Sequence, residues 1–183
     1  MATAPELLDA VPDVLIRPMS ESDVSDVIAV ERASYQFPWS EGIFRDCLRV
    51  GYVCRVVTIN EVIIGYGVMS VGAGEAHILN LCISEVYRCR GVGKRLLTYL
   101  VERGTAAGMS EAFLEVRPSN TSAIRLYLSV GFEQVGMRRG YYQAVGGRED
   151  AAVLKLPLRP RRSSTATATA PSLTGPSVTG RRR

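Results

Sequence analysis

Residues 88–94 form a short segment, rich in glycine and arginine, that could bind a phosphate group. Gly91 and Gly93 stand two positions apart, a strand-like apolar stretch at residues 78–83 precedes them, and a helical pattern follows. Backbone N–H groups at such a helix start can surround an anion, because glycine has no side chain and the helix N-terminus carries partial positive charge. The segment therefore predicts a pyrophosphate-binding loop; the alternative is a tight turn that only packs the helix closely.

Two better-known phosphate loops do not fit this segment. A Walker A loop would need glycine in place of Arg88 and Ser or Thr in place of Arg95, and a dinucleotide fingerprint starting at Gly91 would need glycine or alanine at Leu96. The segment instead resembles Arg/Gln-x-x-Gly-x-Gly/Ala, the acyl-coenzyme A signature of the GCN5-related N-acetyltransferase (GNAT) family. This resemblance implies acetyl-CoA as the co-substrate, and we expect no metal ion.

A longer motif strengthens the resemblance. Residues 114–132 read Leu-Glu-Val-Arg-Pro-Ser-Asn-x-x-Ala-Ile-x-Leu-Tyr-x-x-x-Gly-Phe, and further matching stretches lie at residues 37–40 and 138–151. Together they closely resemble the RimI-type branch of the family, the ribosomal-protein N-terminal alanine acetyltransferases. The resemblance spans about residues 14–158.

The resemblance implies a set of site residues. Glu115 would remove the proton of the amine, Tyr127 would protonate the leaving thiolate, and Asn120 would contact coenzyme A. In this family the strands corresponding to residues 80–83 and 113–116 separate at one end, where the acyl-pantetheine enters and a backbone N–H faces the thioester oxygen. The implied cofactor-binding residues are Leu81, Cys82, Ile83, Cys89, Arg90, Gly91, Val92, Gly93, Lys94 and Asn120.

The local sequence supports these roles and leaves alternatives. Acetyl transfer needs a neutral amine, and a carboxylate can act as the base that removes the amine proton. Glu115 lies mid-strand between Leu114 and Val116, so alternation points its side chain to the face opposite theirs. An apolar cleft on that face can raise the pKa of Glu115 toward neutrality. A solvent-facing strand glutamate is the alternative. Asn120 directly precedes a helix and can also be its N-cap. Tyr127 lies about two turns further along the same helix face, and the alternative for it is a buried core tyrosine.

Rigid, flat side chains near both ends of the motif could line a groove for an extended peptide, or could simply pack: Phe37, Pro38, Trp39, Tyr141 and Tyr142. The resemblance implies direct, ternary-complex transfer of acetyl to the α-amine of a protein N-terminus. The resemblance implies small-subunit ribosomal protein eighteen, which begins with alanine, as the target. Two alternatives remain: acetylation of a small amine such as a polyamine or aminoglycoside, and a non-catalytic acyl-CoA sensor.

The elements that must position these residues follow from hydrophobic periodicity. Period-2 or β-rich runs predict strands at residues 14–17, 52–59, 62–71, 75–83, 112–117, 132–142 and 150–156. Helical spacing predicts helices at residues 22–35, from 40, after the phosphate loop, and at 120–131. The order β-α-α-β-β-β-α-β-α-β-β is that of an α+β domain, and the resemblance implies the GNAT fold, a mixed, mostly antiparallel sheet with helices on both faces.

Composition and charge divide the chain into three parts. Six of the 22 basic residues lie in residues 159–183, whereas all 18 acidic residues precede them, so residues 1–158 carry a net charge of −2. We predict a flexible N-terminal extension at 1–13, one domain at 14–158, and a disordered tail at 159–183 whose Ser, Thr, Ala, Pro and Gly residues bury too little surface to fold. The tail arginines could contact ribosomal or other RNA, or could have no role.

Cysteine usage and the lack of targeting signals indicate the compartment. The four cysteines form no C-x-x-C pair, His77 is the single histidine, and no apolar run approaches the roughly 20 residues that span a bilayer. We expect a cytoplasmic protein with reduced thiols, no zinc site and no membrane contact. Cys82 and Cys89, beside the phosphate loop, are expected to pack as small apolar residues rather than to act as nucleophiles.

Overall fold

The computed structural model describes residues 13–158. The predicted extension, apart from Asp13, and the predicted tail lie outside these residues. Within the described range, the helices and strands follow the predicted order: β1 (Leu15–Pro18), α1 (Val24–Ser34), α2 (Glu41–Arg49), β2 (Val53–Ile59), β3 (Val62–Gly72), β4 (Glu75–Ile83), α3 (Val92–Ala106), β5 (Glu111–Val116), α4 (Thr121–Val130), β6 (Glu133–Ala144) and β7 (Gly147–Pro157).

The bounds of helix α1 and of the β6–β7 hairpin differ from the sequence-based expectation by two or three residues. Helix α1 begins at Val24 because Glu21–Asp23 form a 3-10 turn, in which the Asp23 carboxylate accepts a hydrogen bond of 2.7 Å from the Ser20 backbone N–H. Strand β6 ends at Ala144 and strand β7 begins at Gly147. The two strands therefore form a long hairpin with a tight turn instead of two strands around a loop. This hairpin is long enough to reach the end of the sheet where the candidate site lies.

The seven strands form one sheet in the order β1-β2-β3-β4-β5-β7-β6. All neighbouring pairs are antiparallel except β4 and β5, which are parallel. The helix α3 makes the crossover between these two parallel strands, as parallel neighbours require. The predicted mixed, mostly antiparallel sheet is confirmed.

Strands β4 and β5 stop pairing halfway along β4. Their pairing begins at Glu75 with Glu111 and ends at Ile78 with Leu114. The next residue, Leu79, is an extra residue in β4, because Val68 of β3 pairs with Asn80 while Met69 pairs with Ile78. A bulge of this kind bends the strand that carries it. The bend turns the remainder of β4 away from β5 and opens a gap between them.

Helices cover both faces of the sheet, as predicted, so the domain has three layers, α/β/α. On one face, α3 and α4 contribute Leu96, Leu97, Leu100 and Tyr127 to a core that includes Leu114 of β5. On the other face, residues of α1 and α2 pack against β2, β3 and β4: Val24, Val27, Ile28, Phe44 and Cys47. Among residues 13–158, no helix has the length and apolarity needed to cross a membrane.

Candidate active site

The gap between β4 and β5 continues into a cavity of about 420 Å³. The end of β4, the loop before α3 and the start of α4 form its walls. Among its lining residues are eight of the predicted cofactor residues: Leu81, Cys82, Ile83, Cys89, Gly91, Gly93, Lys94 and Asn120. The remaining two do not line it, since Val92 is buried in the core and Arg90 is exposed.

The loop before α3 fits a phosphate group. Gly91 precedes the helix with φ of +79°, a left-handed conformation that glycine adopts without steric cost, and no side chain caps the helix. The backbone N–H groups of the first helical turn therefore keep their hydrogen-bonding capacity. Arg88 secures the loop from the other side, because its Nε donates a hydrogen bond of 2.8 Å to the Ile83 carbonyl.

The two cysteines near the loop differ from each other. Cys82 is 3% exposed, and burial raises the pKa of its thiol, which suits the expected packing role. Cys89 is exposed and has φ of +59°, so the prediction that it packs as a small apolar residue is wrong. The loop turns outward at Cys89 to bring Gly91 to the start of the helix, and this turn leaves the thiol at the surface.

A second cavity, of about 160 Å³, adjoins the first and shares four lining residues with it: Tyr35, Leu81, Arg117 and Asn120. It contains both predicted catalytic residues, Glu115 and Tyr127, and three of the predicted aromatic residues, Phe37, Trp39 and Tyr142. The larger cavity thus leads directly to the candidate base and acid.

Pro38 and Tyr141, the other two residues predicted for a peptide groove, do not line the second cavity. Pro38 is exposed, and the ring of Tyr141 lies edge-on against that of Tyr142, with 4.9 Å between their centroids. Tyr141 therefore supports Tyr142 from the outside.

Glu115 faces away from its neighbours Leu114 and Val116, as alternation predicts, and lines the second cavity. Its side chain is 14% exposed, and its Oε1 lies 3.0 Å from Nη2 of Arg138 on β6. The surroundings are therefore less apolar than expected, since a guanidinium contacts the carboxylate. This ion pair orients Glu115 at the cavity wall.

Tyr127 reaches the second cavity from the opposite face of the sheet. Its ring is 7% exposed and packs at 61° to that of Phe132, with 6.1 Å between centroids. Burial raises the pKa of Tyr127 to about 12, so its hydroxyl is protonated at neutral pH. Tyr127 therefore has a proton to donate.

Arg117, which the sequence analysis did not single out, fastens the β6–β7 hairpin to the end of β5. Its Nη1 donates to Glu149 Oε2 at 2.9 Å, and its Nη2 donates to the Gln143 carbonyl at 2.8 Å. The guanidinium also lies over the ring of Tyr142, 4.4 Å from its centroid. These contacts place Tyr142 beside the second cavity, and burial raises the pKa of its hydroxyl.

Asn120 fulfils the predicted capping role and also lines both cavities. Its Oδ1 accepts a hydrogen bond of 3.1 Å from the Ala123 backbone N–H, which caps α4. Its position in the lining of both cavities leaves it beside any ligand that occupies them. The two predicted roles are thus geometrically compatible.

Helix α1 and the residue that follows it supply two further residues that sequence reasoning missed. The Tyr35 hydroxyl donates a hydrogen bond of 3.1 Å to the Leu81 carbonyl on the open edge of β4. Glu31 is 1% exposed and lines the second cavity. The sequence contains a signal for Glu31, because a carboxylate at an apolar position of an amphipathic helix is unusual.

The model of the acetyltransferase (GNAT) family matches residues 22–132. The chain belongs to the GNAT family. Two curated relatives are called [ribosomal protein bS18]-alanine N-acetyltransferase. The one from Escherichia coli K12 is 33% identical over 143 residues, which cover 78% of this chain and 97% of that protein. The one from Haemophilus ducreyi is 34% identical, with 78% and 99% covered.

A solved GNAT structure supports the same assignment. The crystal structure of the ribosomal-protein-S18-alanine N-acetyltransferase from Escherichia coli superposes with a TM-score of 0.75 at 32% identity, covering 80% of this chain and 94% of that one. The predicted family and fold are confirmed, and this GNAT protein is an acetyltransferase, as expected. GNAT-fold acetyltransferases use acetyl-CoA.

The described residues of this GNAT domain contain no group of three or more His, Cys, Asp or Glu side chains placed to hold a metal ion. His77 has ordinary partners, since its Nε2 lies 2.9 Å from Glu75 Oε2 and its ring stacks on Phe113.

Proposed function

We propose that the protein transfers acetyl from acetyl-CoA to the α-amino group of a protein N-terminus that begins with alanine, with ribosomal protein bS18 as the substrate. One observation carries the proposal. The parallel pairing of β4 and β5 stops at Ile78 and Leu114, and the next residue of β5, Glu115, lines the smaller cavity, which adjoins the larger one. The names of the relatives supply the substrate.

The larger cavity would hold the coenzyme. Backbone N–H groups at the start of α3 and the Lys94 ammonium suit the pyrophosphate, because both are donors to an anion at a helix N-terminus. Beyond the bulge at Leu79, the edge of β4 that faces the gap has no partner strand, so backbone groups on that edge between Leu81 and Ile83 can bond the pantetheine amides. The Leu81 carbonyl already accepts from the Tyr35 hydroxyl, and the Ile83 carbonyl accepts from Arg88. When bound, acetyl-CoA supplies an activated acetyl thioester.

Glu115 and Tyr127 would move the protons. Glu115 accepts a proton from the amino group, directly or through a water molecule, and Arg138 holds its carboxylate in place meanwhile. The Tyr127 hydroxyl, whose pKa burial raises to about 12, donates its proton to the departing sulfur. A backbone N–H of β4 aimed at the thioester oxygen would contribute on the order of 3 kcal/mol to the transition state.

The smaller cavity suits a peptide N-terminus with a small first side chain. The cavity has a volume of about 160 Å³, and among its lining residues are Phe37, Trp39 and Tyr142. The flat rings of these residues can lie along an extended backbone.

Substrate competition tests the proposed function. Initial rates are measured with acetyl-CoA and three amines: a peptide with the bS18 N-terminal sequence, a polyamine and an aminoglycoside. We expect kcat/KM for the peptide to exceed that for either small amine by at least 100-fold. A peptide of the same sequence with a blocked N-terminus is the control and should not react. Preference for a free amine would overturn the peptide assignment.

We further propose that the arginine-rich residues 159–183 bind RNA at the ribosome. These residues contain six arginines and no acidic residue. The described chain ends at Leu158, whose N–H donates to Ser110 at the end of the sheet opposite the gap. Truncation after residue 158 should weaken RNA binding and flatten its salt dependence without changing peptide kinetics. Unchanged RNA affinity would contradict this role.

We also propose a cytoplasmic location. The structure has free thiols at Cys47, Cys54, Cys82 and Cys89, which suits a reducing compartment.

A further inference from the structure

Glu31 is a buried carboxylate in the wall of the smaller cavity. It is 1% exposed, and both of its oxygens accept hydrogen bonds: Oε1 from the Trp39 backbone N–H at 2.8 Å, and Oε2 from the Tyr66 hydroxyl. Both carboxyl oxygens of Glu31 therefore have a neutral group as hydrogen-bond partner.

No cation pairs with Glu31 within residues 13–158. Burial of an unpaired carboxylate is costly, and two neutral donors offset only part of that cost. A glutamine would make similar hydrogen bonds without the charge. An ammonium group in the smaller cavity would supply the counter-charge that Glu31 lacks among residues 13–158.

The other charges around the smaller cavity cancel one another. Glu115 pairs with Arg138, and Arg117 pairs with Glu149. Of the three charged residues that line the cavity, Glu31 is thus the one without a counter-charge. The cavity wall and its ion-pair partners carry a net charge of −1, which suits a single positive charge.

We propose that Glu31 binds the substrate in its cationic form, as the counter-charge that draws the protonated α-ammonium into the smaller cavity before Glu115 removes its proton. The inference rests on the proposed function. A peptide α-amine has a pKa of about 8, so most of it is ammonium at pH 7. The same carboxylate also holds the Trp39 N–H, which couples substrate binding to the loop between α1 and α2.

The variant Glu31→Gln separates charge from geometry. Its carboxamide oxygen can accept from the Trp39 N–H, while its NH₂ group can donate to the Tyr66 hydroxyl oxygen, so the shape and both contacts can persist. The charge alone is lost. Asp26→Asn is the matched control, because Asp26 is an exposed carboxylate on the same helix.

The experiment compares two peptides as ligands of the enzyme with CoA, so that no reaction occurs. One has the bS18 N-terminal sequence with its free ammonium, and the other is the same peptide with propionyl in place of alanyl, which removes the amino group. We expect wild type and Asp26→Asn to bind the ammonium peptide about 10- to 100-fold more tightly than the des-amino peptide. Glu31→Gln should lose most of this preference, while its KM for acetyl-CoA stays unchanged.

Two results would overturn the inference. Equal affinity of wild type for both peptides would be one such result. This comparison needs no variant, so it remains decisive even if Glu31→Gln does not fold. An undiminished preference in folded Glu31→Gln would reduce Glu31 to a residue that positions the loop. Failure of the proposed function is distinguishable, since wild type would then not acetylate the ammonium peptide at all.

Discussion

Replacing Glu115 by glutamine is the most direct test of the proposed chemistry. The two side chains have nearly the same size, and a carboxamide oxygen can still accept a hydrogen bond from Arg138. The carboxamide cannot accept the proton that the amine must lose. We expect kcat at pH 7 to fall by about 10²- to 10⁴-fold, the usual contribution of a general base. The KM for acetyl-CoA should not change, because Glu115 is not among the residues that line the larger cavity.

The structure limits how much of this loss could come from a disturbed ion pair. A fall of 10²- to 10⁴-fold corresponds to about 2.7–5.4 kcal/mol of transition-state stabilisation. The Arg138 side chain is 54% exposed, and ion pairs with an exposed partner contribute about 1 kcal/mol or less. Weakening this pair would thus lower the rate by about fivefold at most. A hundredfold loss therefore requires the loss of the base itself.

Glu111→Gln provides the matched control. Glu111 begins the same strand, and its Oε1 forms an ion pair of 2.8 Å with Lys155 Nζ, in which each side chain is about one-third exposed. It lies at the opposite end of β5 from the gap, so its loss should leave kcat unchanged.

The assay follows release of the CoA thiol with an alanine-starting peptide, under steady-state conditions. Turnover of Glu115→Gln within tenfold of wild type would refute the assignment of the base. An equal loss in Glu111→Gln would show that the effect comes from the stability of the strand.

Substitutions at three further residues test the proposed acid, the cap and a pH-dependent ion pair. Tyr127→Phe keeps the ring in the core and should lower kcat by about 100-fold, because no proton reaches the leaving sulfur; an unchanged rate would argue against the acid role. Asn120→Ala should lower the free energy of urea unfolding by about 1 kcal/mol through loss of the N-cap, whereas Asn120→Ser should restore stability but not acetyl-CoA affinity if the side chain also contacts the coenzyme. The Arg17 guanidinium holds the pKa of Asp23 well below its usual range, so the carboxylate stabilises the fold above the unfolded pKa of about 3.9 and loses this contribution as pH falls toward the folded value. Asp23→Asn should therefore unfold at lower urea than wild type at pH 7, with the gap closing below about pH 4; equal midpoints at pH 7 would contradict the contribution of the pair.

Local sequence patterns were sufficient for the order of the elements and for the orientation of several site residues. Alternation along β5 places Glu115 on the face opposite Leu114, and the position of Asn120 directly before a helix indicates its cap. Both depend on the geometry of one element, in which side chains repeat every two or every 3.6 residues. The predicted phosphate loop also depends on local sequence, since it needs Gly91 and Gly93 at the start of a helix. A sequence contains this information residue by residue.

Long-range packing decided the rest of the site. The gap between β4 and β5 depends on the bulge at Leu79, which arises from pairing with β3, and no periodicity within β4 reveals it. Arg138 contacts Glu115 only because the β6–β7 hairpin folds back along β5, and the burial of Glu31 becomes visible only once α1 lies against the sheet. The same packing excludes Pro38 from the smaller cavity, although the sequence places it beside Trp39. Alternation tells which face of a strand a side chain occupies, but partner strands, cavity walls and counter-charges come from residues far apart in the chain, whose meeting is determined by the tertiary structure.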